Sequence, residues 1–486
     1  MSVSLRPVRA LVRPATRWLD RLVAAATVVV AGVVLGLQYI APNKRVLASL
    51  AALVLFGMAW RIDMLSGIGI LALVLPFPRG TVFGSTNLAF VLLLLVIWLL
   101  RVTQRQSALP RGTPVDLPVV ALFTIYVVSF YNVDTTEHLR RALEYFELMV
   151  ACMLLFYLVV QNVRTEADLK RVLAFQSVSV LFVCLVAIYE LNHPGGTFIP
   201  GWIDFKRTVG TEFNTRNVRV GSTFFDYELL SEYCALNLLL AIFMFMRAGA
   251  LLGKLAYGTL ITIVTFVLFA TTTRGSIVSL AVGAVYFIWL VRRRVNAVNF
   301  VITIAGVSAG FLAMNYYVAH FTRSGDVLAR LTATKFTRGI PDSRTEAWPA
   351  AWQRLLEHPL IGHGPFYSSE HGIKVWTWPH SLYLYVGNNV GFIGLAVFLY
   401  FLWRLWRLSS PPSDDLGHAD YAKAYLLIAH VQVVTFIVDQ IKIEFMRNPV
   451  YQFQVWLMFA FIVAAWQITN RPLVPAAVAA GRARPA

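Results

Sequence analysis

The sequence predicts an all-α polytopic membrane protein of about 12–14 transmembrane helices, with a long, partly helical extracytoplasmic loop before the last three spans. Three observations predict it. Of 486 residues, 58% are hydrophobic and only 14% are charged, against about 25% charged in soluble domains. Apolar runs of about 16 to 23 residues recur along the whole length, each long enough to cross a ~30 Å hydrocarbon core. These runs lack the polar face of a soluble amphipathic helix, and they do not alternate in the ~10-residue segments of a membrane barrel.

Taken in order, the runs place spans near 22–40, 46–60, 62–77, 86–101, 116–131, 139–160 and 169–190, then 226–246, 254–271, 275–291, 297–317, 381–403, 421–438 and 449–468. The second and third are short enough to form a re-entrant or tightly paired unit. Arg6, Arg9, Arg13, Arg17 and Arg21 precede the first run, and no small-residue cleavage site follows it. That pattern reads as a retained helix and not a signal peptide.

Topology follows from the basic residues. Every second connection is basic: Arg61; Arg101, Arg105 and Arg111; Arg164, Lys170 and Arg171; Arg247 and Lys254; Arg292 to Arg294; Arg404 and Arg407. The positive-inside bias therefore puts both termini in the cytoplasm of an inner, cytoplasmic membrane, and the long loops 191–225 and 318–380 outside it. The formal net charge of +17 would suggest nucleic acid in a soluble protein. Here the charge sets topology, and no nucleic-acid partner is expected. Cys152, Cys184 and Cys234 lie in or beside spans, with neither metal spacing nor a disulfide framework.

The two outer loops break the charge bias. One holds Lys206, Arg207, Arg216 and Arg219; the other holds Arg323, Arg330, Lys335, Arg338, Arg344, Arg354 and Lys374. Either these are solvated surfaces balanced by acids, or they form an anion site, for which the planar guanidinium fork suits phosphate oxygens. Arg274 stands between two spans, after three threonines. A charge there either snorkels to the interface or faces a cavity or partner. Gly275 and Ser276 beside it leave room for close approach.

Arg344 is expected in the first turn of a helix opened by a Ser343–Glu346 capping box, with Trp348, Trp352 and Leu355 on one face. A bound anion would relieve its position at the positive end of the helix dipole. His380 precedes an apolar run. It is either a proton acceptor at a span mouth or part of an aromatic belt with Trp376 and Trp378. His363 and His371 are weaker candidates. No histidine pair has metal spacing, and no DxD pair occurs in the outer loops, so neither metal nor cofactor is expected.

The order of these motifs resembles the O-antigen ligase and polymerase superfamily of bacterial membrane glycosyltransferases. The resemblance covers about 256–400: TTTRG between two spans, R-x-x-x-W, a G-x-G segment, and an outer His followed by a Tyr-rich span. RVGSTFFDYELLSEY is similar to the family's Arg-x-x-Gly-Thr-Phe segment, with Arg219 at the Arg position. The resemblance implies a metal-independent transferase moving glycan from a polyprenyl (undecaprenyl) pyrophosphate to an acceptor sugar outside the membrane. Arg219 and Arg274 would hold the pyrophosphate, Arg344 would shape the same pocket, and His380 would deprotonate or orient the acceptor hydroxyl.

Two positions depart from the family pattern. Ser381 replaces Asn after the histidine, and Asp226–Tyr227–Glu228 replaces Pro-Asn. The two acids would read an acceptor or pair with Arg216. The implied organisation is N-terminal spans over 1–255, a ligase-like core over 256–403, C-terminal spans over 404–470 and a disordered cytoplasmic tail over 471–486. Expected partners are the lipid-linked donor, a glycan or glycolipid acceptor, membrane lipid, and polysaccharide export or chain-length proteins. Ligation is favoured over polymerisation, which uses the same donor. A lipid-glycan transporter would instead show inverted repeats and midplane charges, and a non-catalytic assembly subunit would not depend on His380.

Overall fold

The structure is a computed structural model that describes residues 57, 60–76, 80–81, 84–200, 203–205, 218–292, 296–337, 340–341, 344–366, 379–410 and 420–470. Over these residues the protein is an α-helical membrane bundle. The helices are α1 Met64–Val74, α2 Thr86–Thr103, α3 Asp116–Ser129, α4 Thr136–Asn162, α5 Glu166–Asn192, α6 Tyr227–Arg247 and α7 Leu251–Ala270. They continue with α8 Arg274–Val291, α9 Ala297–Phe321, α10 Val327–Thr332, α11 Ala347–Glu357, α12 Leu382–Ser409, α13 Tyr421–Asp439 and α14 Pro449–Asn470. Among the described residues eight are long and apolar enough to cross a membrane. Each span expected from 62–77 onward falls on a helix. Those expected at 22–40 and 46–60 lie outside the described residues, apart from Gly57 and Trp60.

Burial follows sequence pattern. The α14 sequence VYQFQVWLMFAFIVAAW is apolar all round but for Gln452 and Gln454, and 89% of its membrane-length window is buried. A helix that is apolar all round belongs at the centre of a bundle, and α14 packs against α4, α12 and α13. In α7 and α8 only 22% of that window is buried, so their apolar faces point to lipid. At 11 residues α1 is too short to span alone, given ~1.5 Å rise per residue; it packs on α2 and α5.

The chain between α9 and α12 is partly helical, as expected. It holds α10, a two-stranded hairpin of Phe336–Thr337 with Ile340–Pro341, and α11. Helix α11 starts at Ala347, later than the capping-box pattern predicts. Glu346 is its N-cap residue but makes no side-chain cap bond, and Arg344 lies in the turn before it. Ser343 is outside the described residues. The buried stripe of α11 is Ala347, Ala351 and Leu355, while Trp352 is half exposed. This corrects the expected Trp348–Trp352–Leu355 face: small residues at i and i+4 let α11 lie close on α12, where Leu355 meets Gly387.

Helix α12 is broken at Gly391, which has φ 67°. The segment after α11 fills the break. Amides of Phe392 and Ile393 donate to the carbonyls of Pro359 (2.7 Å) and Leu360 (3.4 Å), and those of His363 and Gly364 donate to Asn388 (2.8 Å) and Asn389 (3.1 Å). A broken helix inside a bilayer needs such partners, because no water is there to replace them. The GHGPF segment thus serves the backbone of α12. The His363 ring is buried, meets the Arg354 carbonyl at 2.8 Å, and has its pKa lowered by burial.

Candidate active site

Loops at one end of the bundle bring the singled-out residues together. The site is built around the start of α6. Ser222 to Phe225 form a tight turn, with Ser222 and Phe225 at positive φ, and Asp226 then caps the helix. Its carboxylate accepts from the amides of Glu228 (2.9 Å) and Leu229 (3.2 Å). Acids at a helix N-terminus are favoured by its dipole, which explains why Asp226 and Glu228 tolerate partial burial there.

On one side lies an arginine corner around the end of α7. Thr272 takes φ 49°, turning the chain from α7 into α8. Arg219 donates to the Thr271 carbonyl and to Thr273 Oγ1, both at 3.1 Å, and its guanidinium lies 3.2 Å from the centre of the Tyr227 ring. Arg330 of α10 donates to the Thr272 carbonyl at 3.1 Å. Arg274 donates to the Arg330 carbonyl (3.1 Å) and Thr334 Oγ1 (2.6 Å). Burial, together with the Arg330 charge, lowers the Arg219 pKa to about 10 even with Tyr227 and Glu228 beside it. Arg219 is therefore still a cation at neutral pH. Arg219 and Arg330 thus meet the C-terminal end of α7, Arg274 at the start of α8 meets the end of α10, and the three carry the planar donor fork that suits phosphate oxygens.

On the other side lies a buried charge cluster. Arg447, in the connection between α13 and α14, pairs with Asp226 (2.7 Å), Glu228 (2.9 Å) and Glu444 (3.4 Å). Arg344 pairs with Glu228 at 3.3 Å and donates to the Lys442 carbonyl at 3.1 Å. Both acids that replace the family's Pro-Asn thus meet Arg447; Arg216, their expected partner, lies outside the described residues. Burial opposes the charge on Arg447, but its three carboxylates lift its pKa well above normal. Burial pushes Glu444 up to about 7 despite Arg447.

His380 joins this cluster. It sits at φ 49° just before α12, which turns its ring towards Arg447 and Glu228. Arg447 Nη1 donates to His380 Nδ1 at 3.1 Å, and Glu228 lies 3.7 Å from the same nitrogen. Because arginine can only donate, the neutral ring in this arrangement carries its proton on Nε2. Burial lowers the His380 pKa to about 4; Glu228 works against that, and Arg447 and Arg344 add to it.

All four residues singled out from sequence thus lie in one connected site. Arg219 and Arg274 form the corner, Arg344 and His380 form the cluster, and Tyr227–Glu228 joins the two. Sequence reasoning missed Arg447 and Lys442, and did not single out Arg330 or Glu444. The signal was IKIEFMRN, three charges between two apolar runs in a connection that the sequence reading puts outside, where basic residues are disfavoured. What lies close to Gly275 is the Lys442 side chain, whose Nζ meets Asp439 at 3.2 Å and Ser276 Oγ at 3.5 Å. Among the described residues no three His, Cys, Asp or Glu side chains are placed to hold a metal ion.

Residues 258–399 match the O-antigen ligase family. That span holds Arg274, Arg344 and His380 and runs from α7 to within α12; Arg219 and Arg447 lie outside it. No curated protein matches the chain.

Proposed function

We propose that this chain, a membrane glycosyltransferase of the O-antigen ligase and polymerase type by its 258–399 domain, transfers glycan from a polyprenyl pyrophosphate to an acceptor sugar at the extracytoplasmic face, without a metal ion. The observation that carries this is the junction of the arginine corner with the His380 cluster at the start of α6. Arg219, Arg274 and Arg330 take the pyrophosphate. Its negative charge grows as the anomeric bond breaks, and fixed cations in a water-poor cleft stabilise that change. A groove of about 410 Å³ between α5, α7 and α9, walled by Ile188, Ile263, Phe266, Ala313 and Met314, suits the polyprenyl chain. Helix α7 leads from that groove to Thr271–Thr273.

His380 handles the acceptor hydroxyl. For this the Arg447 hydrogen bond to Nδ1 opens, the ring proton moves to Nδ1 facing Glu228, and the Nε2 lone pair is left for the hydroxyl. The anomeric C–O bond to pyrophosphate breaks as the new glycosidic bond forms, and the proton passes to Nε2. Glu228, 3.7 Å from Nδ1, then balances the imidazolium. Such a base contributes a factor of about 10²–10⁴.

Purified protein in lipid vesicles, given polyprenyl-pyrophosphate-linked repeat units with and without a lipid acceptor, tests this. Single transfer only with acceptor makes it a ligase, the outcome we expect; a ladder without acceptor makes it a polymerase. His380→Ala is expected to lower the transfer rate about 10²–10⁴-fold without weakening donor binding, and a chelator to change nothing. Product formation that survives His380→Ala overturns the role given to the histidine.

A further inference from the structure

A second cavity, of about 430 Å³, opens beside Arg447. It is lined by Arg140, Arg141, Glu144 and Tyr145 of α4, with Phe366 and Gln452. Arg219, Arg274 and Arg330 take no part in it. Its volume lies within the range of about 300–1,000 Å³ that holds small organic ligands, and Arg447 is the one wall it shares with the His380 cluster.

The charge here differs from that of the arginine corner. Arg140 pairs with Glu137 (2.8 Å) and Glu144 (3.3 Å), and Arg141 pairs with Glu137 (2.8 Å). Arg447 is matched by three carboxylates. Each guanidinium on its wall is paired with a carboxylate, so a phosphate entering it is offered less uncompensated charge than at the arginine corner. A polyol meets donors and acceptors side by side, as vicinal hydroxyls require, with Gln452 at the wall. The rings of Tyr145 and Phe366, with centroids 6.0 Å apart, offer an apolar surface for the C–H face of a sugar. Phe366 is held at φ 54° next to the segment that locks α12, so its ring is presented by a fixed backbone.

We infer that this cavity is the subsite for a neutral hexose ring of the acceptor glycan, and that Arg140, Arg141, Glu144, Tyr145 and Phe366 select it. The inference rests on the transferase function proposed above. It places the donor at the arginine corner and the acceptor across the cluster that contains His380, so that the acceptor hydroxyl and the leaving pyrophosphate approach from different walls.

The test uses the full chain in zwitterionic nanodiscs and saturation-transfer NMR with lactose, maltotriose and chitobiose as probes. At least one is expected to bind, and inorganic phosphate is not expected to displace it. The Arg140→Gln/Glu144→Gln double variant, exposed enough to fold as the wild type does, is expected to lose about tenfold in affinity, or ~1.4 kcal/mol. Arg274→Ala is expected to keep it. No binding by any probe, displacement by phosphate, or binding unchanged in the double variant each overturns the subsite. In the transfer assay the double variant is expected to raise the acceptor KM with the donor KM held; a raised donor KM overturns it as well. A chain that binds saccharide as described yet forms no product with any donor overturns the transferase function and leaves the subsite standing.

Discussion

Two connections at the same end of the bundle do opposite kinds of work. The segment 359–366 carries the conspicuous G-H-G pattern, and its contribution is backbone: four hydrogen bonds into the break of α12, with Gly362 and Gly391 at positive φ. The segment 440–448 has no conspicuous motif, yet it supplies Lys442, Glu444 and Arg447, the charges around which the site is arranged. A motif in a membrane protein can therefore mark where the backbone is difficult, while the buried charge cluster sits on a neighbouring loop that looks ordinary.

The comparison breaks most directly at Arg447. Its side chain is 9% exposed and faces three carboxylates. Arg447→Ala leaves Asp226, Glu228 and Glu444 buried without their shared cation, and removing one partner of a buried pair costs about 3–5 kcal/mol. We expect a loss of stability of that size in thermal melts, with transfer falling below detection. Arg447→Lys is expected to recover part of the stability and less of the activity, because an ammonium cannot reproduce the forked contacts to Asp226, Glu228 and His380. A fully stable, active Arg447→Ala protein removes the cluster from the site.

Next in size is Gly362→Ala. A Cβ there meets the backbone of Asn389, which cannot move without opening α12, and φ 69° adds strain of its own. A residue held in such a conformation costs about 1–3 kcal/mol. The expected result is a lower melting temperature and less folded protein, with transfer per folded molecule close to wild type. A variant that folds normally but loses turnover would instead move 359–366 into the chemistry.

The difference between the two segments also sets what the sequence could show. The spans were legible because the bilayer requires long apolar runs, and twelve expected spans fall on α1 to α9 and α12 to α14. Arg274 and His380 were legible because a charge beside a span is costly unless placed for a purpose. Arg447 was not, because its meaning depends on Asp226 and Glu228, which lie more than two hundred positions away in sequence. The start of α11 was misread for a local reason: S-x-x-E fits a capping box, but Glu346 takes the N-cap position without a side-chain bond.

Within the cluster, two groups titrate in opposite directions, a smaller effect that sharpens the comparison. Burial holds Glu444 near pKa 7 against an ordinary 4.5, so between those values the fold keeps a proton that the unfolded chain releases, and stability falls as pH rises. His380 lies near 4 against an ordinary 6.5, so the unfolded chain binds a proton that the fold refuses, and stability rises with pH over that window. The two slopes oppose each other from about pH 4.5 to 6.5. Melting temperature measured across this range should rise with pH in Glu444→Gln, fall in His380→Gln, and change least in the wild type. Slopes of the same sign in both variants would show that the groups titrate elsewhere.

The smallest expected effect is at Gly275, the glycine of TTTRGS, and it separates the two kinds of glycine. A Cβ on Gly362 meets backbone, but a Cβ on Gly275 would occupy the space of the far end of the Lys442 side chain. That chain is flexible and can swing away, and the buried Asp439 carboxylate keeps its hydrogen bonds from Ser276 Oγ (3.2 Å) and Ser279 Oγ (2.7 Å), so Gly275→Ala should change stability by about 1 kcal/mol. The displaced ammonium loses its contacts to Asp439 (3.2 Å) and Ser276 (3.5 Å) and leaves the start of α8, where the donor pyrophosphate is proposed to bind. A loss of ~1 kcal/mol of donor interaction corresponds to about a fivefold rise in the donor KM. The acceptor KM should stay at its wild-type value, since Lys442 takes no part in the cavity beside α4. A donor KM that does not move would limit the donor site to the arginine corner and leave Lys442 as the counterion of Asp439 alone.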